Sequence, residues 1–153
     1  MAARRQTVNP IARAARLAAI AAALLTGPAG ASTVYERLGA APGVAAIADR
    51  LIDEVAHDPV LGRSFKDAKL ARIKQHLAEQ LCELSGGPCR YDGDTMREVH
   101  AGHDISEGEF YGMVNRLTRI LRERGVSLAD RNFLLARLAP LKRDVVRVPA
   151  GGS

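Results

Sequence analysis

The chain is predicted to be all-α. Apolar residues recur at intervals of three and four in four separate stretches, and Gly, Pro or Asp-Pro breaks stand between them. Between the second and third stretches, Gly86 to Ile105 is too rich in Gly and Asp for a long helix, yet it sets one histidine, His100, beside Met96, Val99 and Ile105. An imidazole in such a setting must hydrogen-bond or coordinate something, because a bare buried polar group costs about 1 to 3 kcal/mol.

Residues 1–31 carry Arg4, Arg5, Arg13 and Arg16 with no acid, then the apolar run Leu17 to Leu25, then Ala29-Gly30-Ala31. This order is that of a secretory signal peptide cleaved after Ala31. The run is too short to span a bilayer core of about 30 Å, so no stable membrane anchor is expected. An exported protein, periplasmic or secreted, is the expectation. Loss of the leader takes four of 22 basic residues and leaves 18 against 17 acidic ones, so the formal charge falls from +5 to +1. Nucleic acid is therefore not an expected partner. About 120 residues remain, enough for one domain over 32–148 and a frayed tail at 149–153.

The domain opens on Thr33 to Gly43, where Gly39 and Pro42 punctuate a short helical turn. Val44, Ile47, Ala48, Leu51, Ile52 and Val55 then form the apolar stripe of a helix ending at Asp58-Pro59, with Asp49, Arg50, Asp53 and Glu54 outside it. Val60 to Phe65 is a short connection whose aromatic stands out in a chain with three Phe and no Trp. From Leu70 to Leu84 the buried line is Leu70, Ile73, Leu77, Leu81 and Leu84, and His76 lies at its margin, able to point in or out. Cys82 and Cys89 flank the Gly86-Gly87-Pro88 turn, and an exported chain with two cysteines favours their pairing, worth about 2 to 3 kcal/mol for so short a loop. Phe110, Val114, Leu117, Ile120 and Leu121 repeat at helical spacing up to Gly125, and Phe133, Leu134, Leu135, Leu138, Leu141 and Val145 form another helix. Arg116, Arg119, Arg122 and Arg124 read as a solvated basic face.

Four pieces in order resemble the truncated haemoglobins of group I. They are Val34-Tyr35-Glu36-Arg37-Leu38-Gly39, Phe65 after Asp58-Pro59-Val60-Leu61, Gly86-Gly87-Pro88 with Tyr91 and Gly93, and Met96-Arg97-Glu98-Val99-His100 followed by Ile105 and Phe110. The resemblance implies a truncated globin, a helical sandwich around haem, with His100 as the iron ligand and Phe65 on the haem face. It also implies that Ile52, Ile73, Leu77, Met96, Val99, Ile105, Phe110 and Val114 surround the cofactor. Some relatives use a histidine at the position of His76 to close the sixth iron site, so His76 is either a surface residue or a second ligand. Relatives that hold oxygen tightly place Tyr and Gln where this chain has Ile52, Ile73 and Leu77, none of which donates a hydrogen bond. His103 is either an exposed loop residue or within reach of a haem propionate, and His57 is a surface residue. Relatives that tether haem covalently have a histidine where Leu141 stands, so haem b without a covalent link is expected.

Those implications make the protein a binder of diatomic gases (oxygen, nitric oxide, carbon monoxide), a monomer or weak dimer, with nitric oxide oxidation or weak peroxidase activity served by a reductase. The alternatives are a bis-histidine electron-transfer protein, which needs His76, and a haem-free helical module that docks a partner.

Overall fold

The computed structural model describes residues 31–147. The leader expected over 1–31, Ala31 apart, and the tail expected over 149–153 lie outside the described residues. Seven α-helices follow in order: α1 (Val34–Arg37), α2 (Ala40–Ala56), α3 (Leu70–Leu84), α4 (Met96–Val99), α5 (Glu107–Glu123), α6 (Leu128–Leu138) and α7 (Lys142–Val145). Tight 3₁₀ turns occupy Leu61–Phe65 and Ala139–Leu141, and the described residues contain no strand. No helix among them is long and apolar enough to cross a membrane.

Local chemistry sets the starts. Thr33 caps α1 by accepting from the Glu36 amide at 3.2 Å, while the Glu36 carboxylate accepts from the Thr33 amide at 2.7 Å. The same reciprocal pair, Ser106 with Glu109, opens α5. Asp58 Oδ1 accepts from the Val60 and Leu61 amides, each at 2.8 Å, and turns the chain out of α2 into the 61–65 segment.

α2 packs against α3 and α5, and α6 closes against both of those. Ile47, Leu51, Leu81, Ile120, Leu121 and Leu134 meet there at 1% exposure or less. Burying each contributes about 1.5 to 3 kcal/mol, so this crossing anchors the helices that carry the site. Two of the four arginines of the expected basic face are ion-paired, Arg116 with Asp58 and Arg119 with Glu54 and Glu123, the last two also gripped by Arg50 of α2, while Arg122 and Arg124 are exposed.

Two expectations need correction. The stretch from Phe133 to Val145 is not one helix, because Pro140 lacks an amide proton and interrupts α6 before α7. On α3 only Leu81 of the expected buried line is fully buried, joined by Cys82, while Leu70, Ile73, Leu77 and Leu84 are half-buried.

Cys82 at the end of α3 is bonded to Cys89, with a Cα separation of 5.7 Å. The turn between them needs its glycines. Gly86 has φ +83°, and a Cβ on Gly87 would lie 2.6 Å from Cys82 Sγ and 2.7 Å from the Tyr35 ring. Thiol titration of the unreduced protein is expected to find no free cysteine and two after reduction; two reactive thiols before reduction would contradict the bond.

Candidate functional site

The α2, α3 and α5 helices, the 61–65 turn, the segment from Tyr91 to Ile105 and the stretch from Leu138 to Val145 line one cavity of about 460 Å³. α2 contributes Ile52, which is 1% exposed, and the turn contributes Phe65. From α3 come Ile73, His76 and Leu77, and from α5 come Phe110 and Val114. Met96, Val99, His100 and Ile105 supply the wall between these helices in sequence. Ile73 and Leu77 face this cavity and are half-buried, whereas Leu81, one turn further along α3, lines it and is also fully buried in the core. Val99 also lines it, although it is 39% exposed. Every residue the sequence assigned to the cofactor thus reaches one space.

His100 is held in a defined state. It caps α4, a helix of four residues nucleated by Thr95 and Glu98, and its Nδ1 lies 2.8 Å from the Met96 carbonyl oxygen. A carbonyl only accepts, so Nδ1 carries the proton and Nε2 presents its lone pair. Burial pushes the His100 pKa below the ordinary imidazole value; the Met96 bond opposes this and the nearby His103 adds to it. A neutral imidazole is the form that ligates a metal. The surrounding segment is tied down at several points. Gln80 Nε2 donates to Met96 Sδ at 3.5 Å, Arg97 pairs with Asp144 at 2.6 Å, and the Arg147 amide donates to the Ile105 carbonyl at 3.0 Å.

His76 sits in the wall with its side chain 28% exposed. Its Nε2 accepts from Arg72 Nε at 3.3 Å, its Nδ1 lies 3.2 Å from Glu79 Oε2, and the Tyr91 ring stands edge-on to it at 6.0 Å. His103 lines the cavity but is exposed. His57 is exposed, with Nδ1 2.7 Å from the Asp53 carbonyl, and lies outside the cavity lining.

Other lining residues were not assigned to the cofactor from the sequence: Tyr91, Leu117, Leu138, Leu141 and Val145, which stood only in a motif or a helical stripe, and Met113. Met113 and Leu117 share the i, i+3, i+4 register of Phe110 and Val114, so periodicity contained that signal. Tyr91 stood in the Gly86-Gly87-Pro88 motif without a role; its hydroxyl donates to the Asp94 carbonyl at 2.8 Å and its amide donates to Glu83 Oε2 at 3.1 Å.

Polar anchors border the cavity. Arg63 grips Glu109 through two bonds of 2.5 and 2.9 Å, joining the 61–65 turn to α5. Chiefly through that Arg63 bond, and against the cost of burial, the Glu109 carboxyl is lowered from 4.5 to about 2. A lowered carboxyl stabilises the fold above its ordinary value and ceases to do so as pH falls through the folded one. The thermal midpoint is therefore expected to drop between pH 4.5 and about 2, and Glu109→Gln should flatten that drop while lowering the midpoint at neutral pH. An acid profile unchanged by the substitution would contradict it.

A mainly apolar cavity into whose wall a half-buried imidazole, His100, brings an unpartnered Nε2 suits a large flat apolar ligand that carries a metal. Ser64 Oγ, buried in the same wall without a partner among the described residues, leaves a free donor for a polar edge of such a group. The sequence profile of the family described as bacterial-like globin matches residues 33–147. The chain belongs to the truncated globin family.

This truncated globin is 30% identical over 115 residues to a group 1 truncated haemoglobin, GlbN, of Nostoc sp. (strain MUN 8820), covering 75% of this chain and 98% of that one. It is 31% identical over 125 residues to GlbN of Synechocystis sp., with the same coverage. Among solved structures it is similar to the Fe(III) form of truncated haemoglobin from Tetrahymena pyriformis, with a TM-score of 0.71, 26% identity, and coverage of 76% of this chain and 100% of that one. Membership of the truncated globin family implies a haem cofactor and ligand binding at its iron, and the fold and cavity fit both.

Proposed function

We propose that this truncated globin holds haem b through His100 Nε2 and binds diatomic gases, oxygen and nitric oxide foremost. The observation that carries the reading is the state of His100: neutral, with Nδ1 fixed on the Met96 carbonyl and Nε2 free at an apolar cavity. When bound, haem supplies a redox-active iron that takes a small ligand and exchanges electrons. The chain supplies the rest. The Met96 carbonyl fixes the His100 tautomer and raises the basicity of Nε2, as carboxylates and carbonyls do for other metal-bound imidazoles. Ile52, Phe65, Ile73, Leu77, Phe110 and Val114 exclude water. The side chains of Ile52, Ile73 and Leu77 donate no hydrogen bond, so this wall does little to stabilise a polarised gas, which favours ligand exchange and turnover over storage.

Nitric oxide oxidation and peroxide consumption both fit that pocket, and both turn over only with an external electron donor, so a reductase is the implied partner. Leu141, which lines the cavity, offers no nucleophile or imidazole, which supports a non-covalent cofactor. The basic, apolar and Ala-x-Ala order of residues 1–31 supports export. A second reading, bis-histidine electron transfer, is favoured by the place of His76 in the cavity wall.

The absorption spectrum of the purified full chain, ferric and dithionite-reduced, tests these readings together. One haem per chain, extractable into acidified organic solvent, is the expected result. A folded chain that takes up no hemin would overturn the proposal and leave the haem-free module.

A further inference from the structure

We propose that His76, Glu79 and Asp92 form a site for a divalent late-transition cation such as Zn²⁺ at the rim of the cavity, separate from the haem position. One ligand atom from each of the three lies within 4.8 Å of the other two. Glu79 follows His76 by one helical turn, so both project from the same face of α3. Asp92 arrives from the loop beyond the Cys82–Cys89 bond, and that loop is pinned where it matters. The Tyr91 amide donates to Glu83 on α3, the Tyr91 hydroxyl donates to the Asp94 carbonyl, and the Tyr91 ring packs edge-on against His76.

No Lys or Arg side chain among the described residues bridges the Glu79 and Asp92 carboxylates. Among the described residues Asp92 makes no hydrogen bond or ion pair, and the contacts of Glu79 are His76 and the Gln75 amide. Two carboxylates this close repel unless a positive charge lies between them.

One imidazole and two carboxylates with room for water suit zinc or copper better than magnesium or calcium, which prefer oxygen donors alone. The proton count is consistent with metal binding. With Arg72 Nε donating to Nε2, the neutral ring carries its proton on Nδ1, directed at Glu79. Coordination through Nδ1 moves that proton to Nε2, so exposed Arg72 must release the ring and none is lost to solvent. Because zinc on Nδ1 leaves the proton on Nε2, zinc and the haem iron compete for this ring, and any low-spin six-coordinate fraction is expected to fall as Zn²⁺ binds.

Calorimetric titration of Zn²⁺ into the haem-loaded full chain tests this, with Mg²⁺ titrated in parallel. One equivalent of Zn²⁺ is expected to bind and Mg²⁺ to bind far more weakly. Asp92→Asn and Glu79→Gln, neither of which alters a residue lining the cavity, should each weaken Zn²⁺ by about tenfold or more while leaving the haem content at one per chain. Absence of saturable Zn²⁺ binding, equal affinity for Mg²⁺, or undiminished binding in the Glu79→Gln/Asp92→Asn double variant would each overturn the site; the last would place any bound zinc on other histidines.

Discussion

His100→Ala is expected to abolish stoichiometric haem binding. The imidazole is the lining group whose lone pair is kept both neutral and unengaged, through the Met96 carbonyl on one nitrogen and burial around the ring. Alanine removes the donor and leaves an apolar cavity that retains only hydrophobic contact with a porphyrin. Haem would then partition between this cavity and any other apolar surface. The measurement is Soret absorbance per chain after gel filtration, with far-UV circular dichroism to check that α1 to α7 persist. His100→Gly in excess imidazole separates a lost ligand from a lost fold, since free imidazole should restore the spectrum only if a ligand is what was missing. One tightly held haem with an unchanged spectrum in His100→Ala would remove His100 from the iron.

The second large effect is expected at His76. Wild-type ferric protein at neutral pH is expected to be largely six-coordinate and low-spin, and His76→Leu to be high-spin and to bind ferrous ligands faster. In the structure the ring is held by Arg72 and Glu79 at the cavity wall, and exchanging those hydrogen bonds for iron costs only about 0.5 to 1.5 kcal/mol each. Ile73 and Leu77, its neighbours on α3, put no competing donor in the way. If the internal ligand leaves the iron open about one-tenth of the time, its removal speeds binding about tenfold. Absorption spectra and flash photolysis of carbon monoxide report the two halves of this expectation. A wild-type ferric spectrum that is already high-spin, unchanged in His76→Leu, would show that His76 stays with Glu79, and electron transfer through two histidines would lose its basis.

His100 is legible in the sequence because its surroundings are local. Thr95, Met96, Glu98 and Val99 are within five residues, the helix they start is one turn long, and the glycines before it forbid a longer one. The same holds for α2, α3 and α5, whose stripes repeat at a period that backbone hydrogen bonding imposes within each segment. What each stripe faces is a different matter. Ile73, Leu77 and Leu81 are equivalent in sequence and all three line the cavity, yet only Leu81 is fully buried, because it also belongs to the core shared with α2, α5 and α6.

Single-helix geometry could likewise place His76 only at a margin. Its surroundings depend on Tyr91 and Asp92, brought back across the Cys82–Cys89 bond from a loop with no periodicity to read. Composition, helical register and the ligand-bearing segment were therefore determined by the sequence itself, since each rests on contacts within a few residues. The division between core and cavity and the meeting of His76, Glu79 and Asp92 were decided only by tertiary packing, which alone sets distances between residues far apart along the chain.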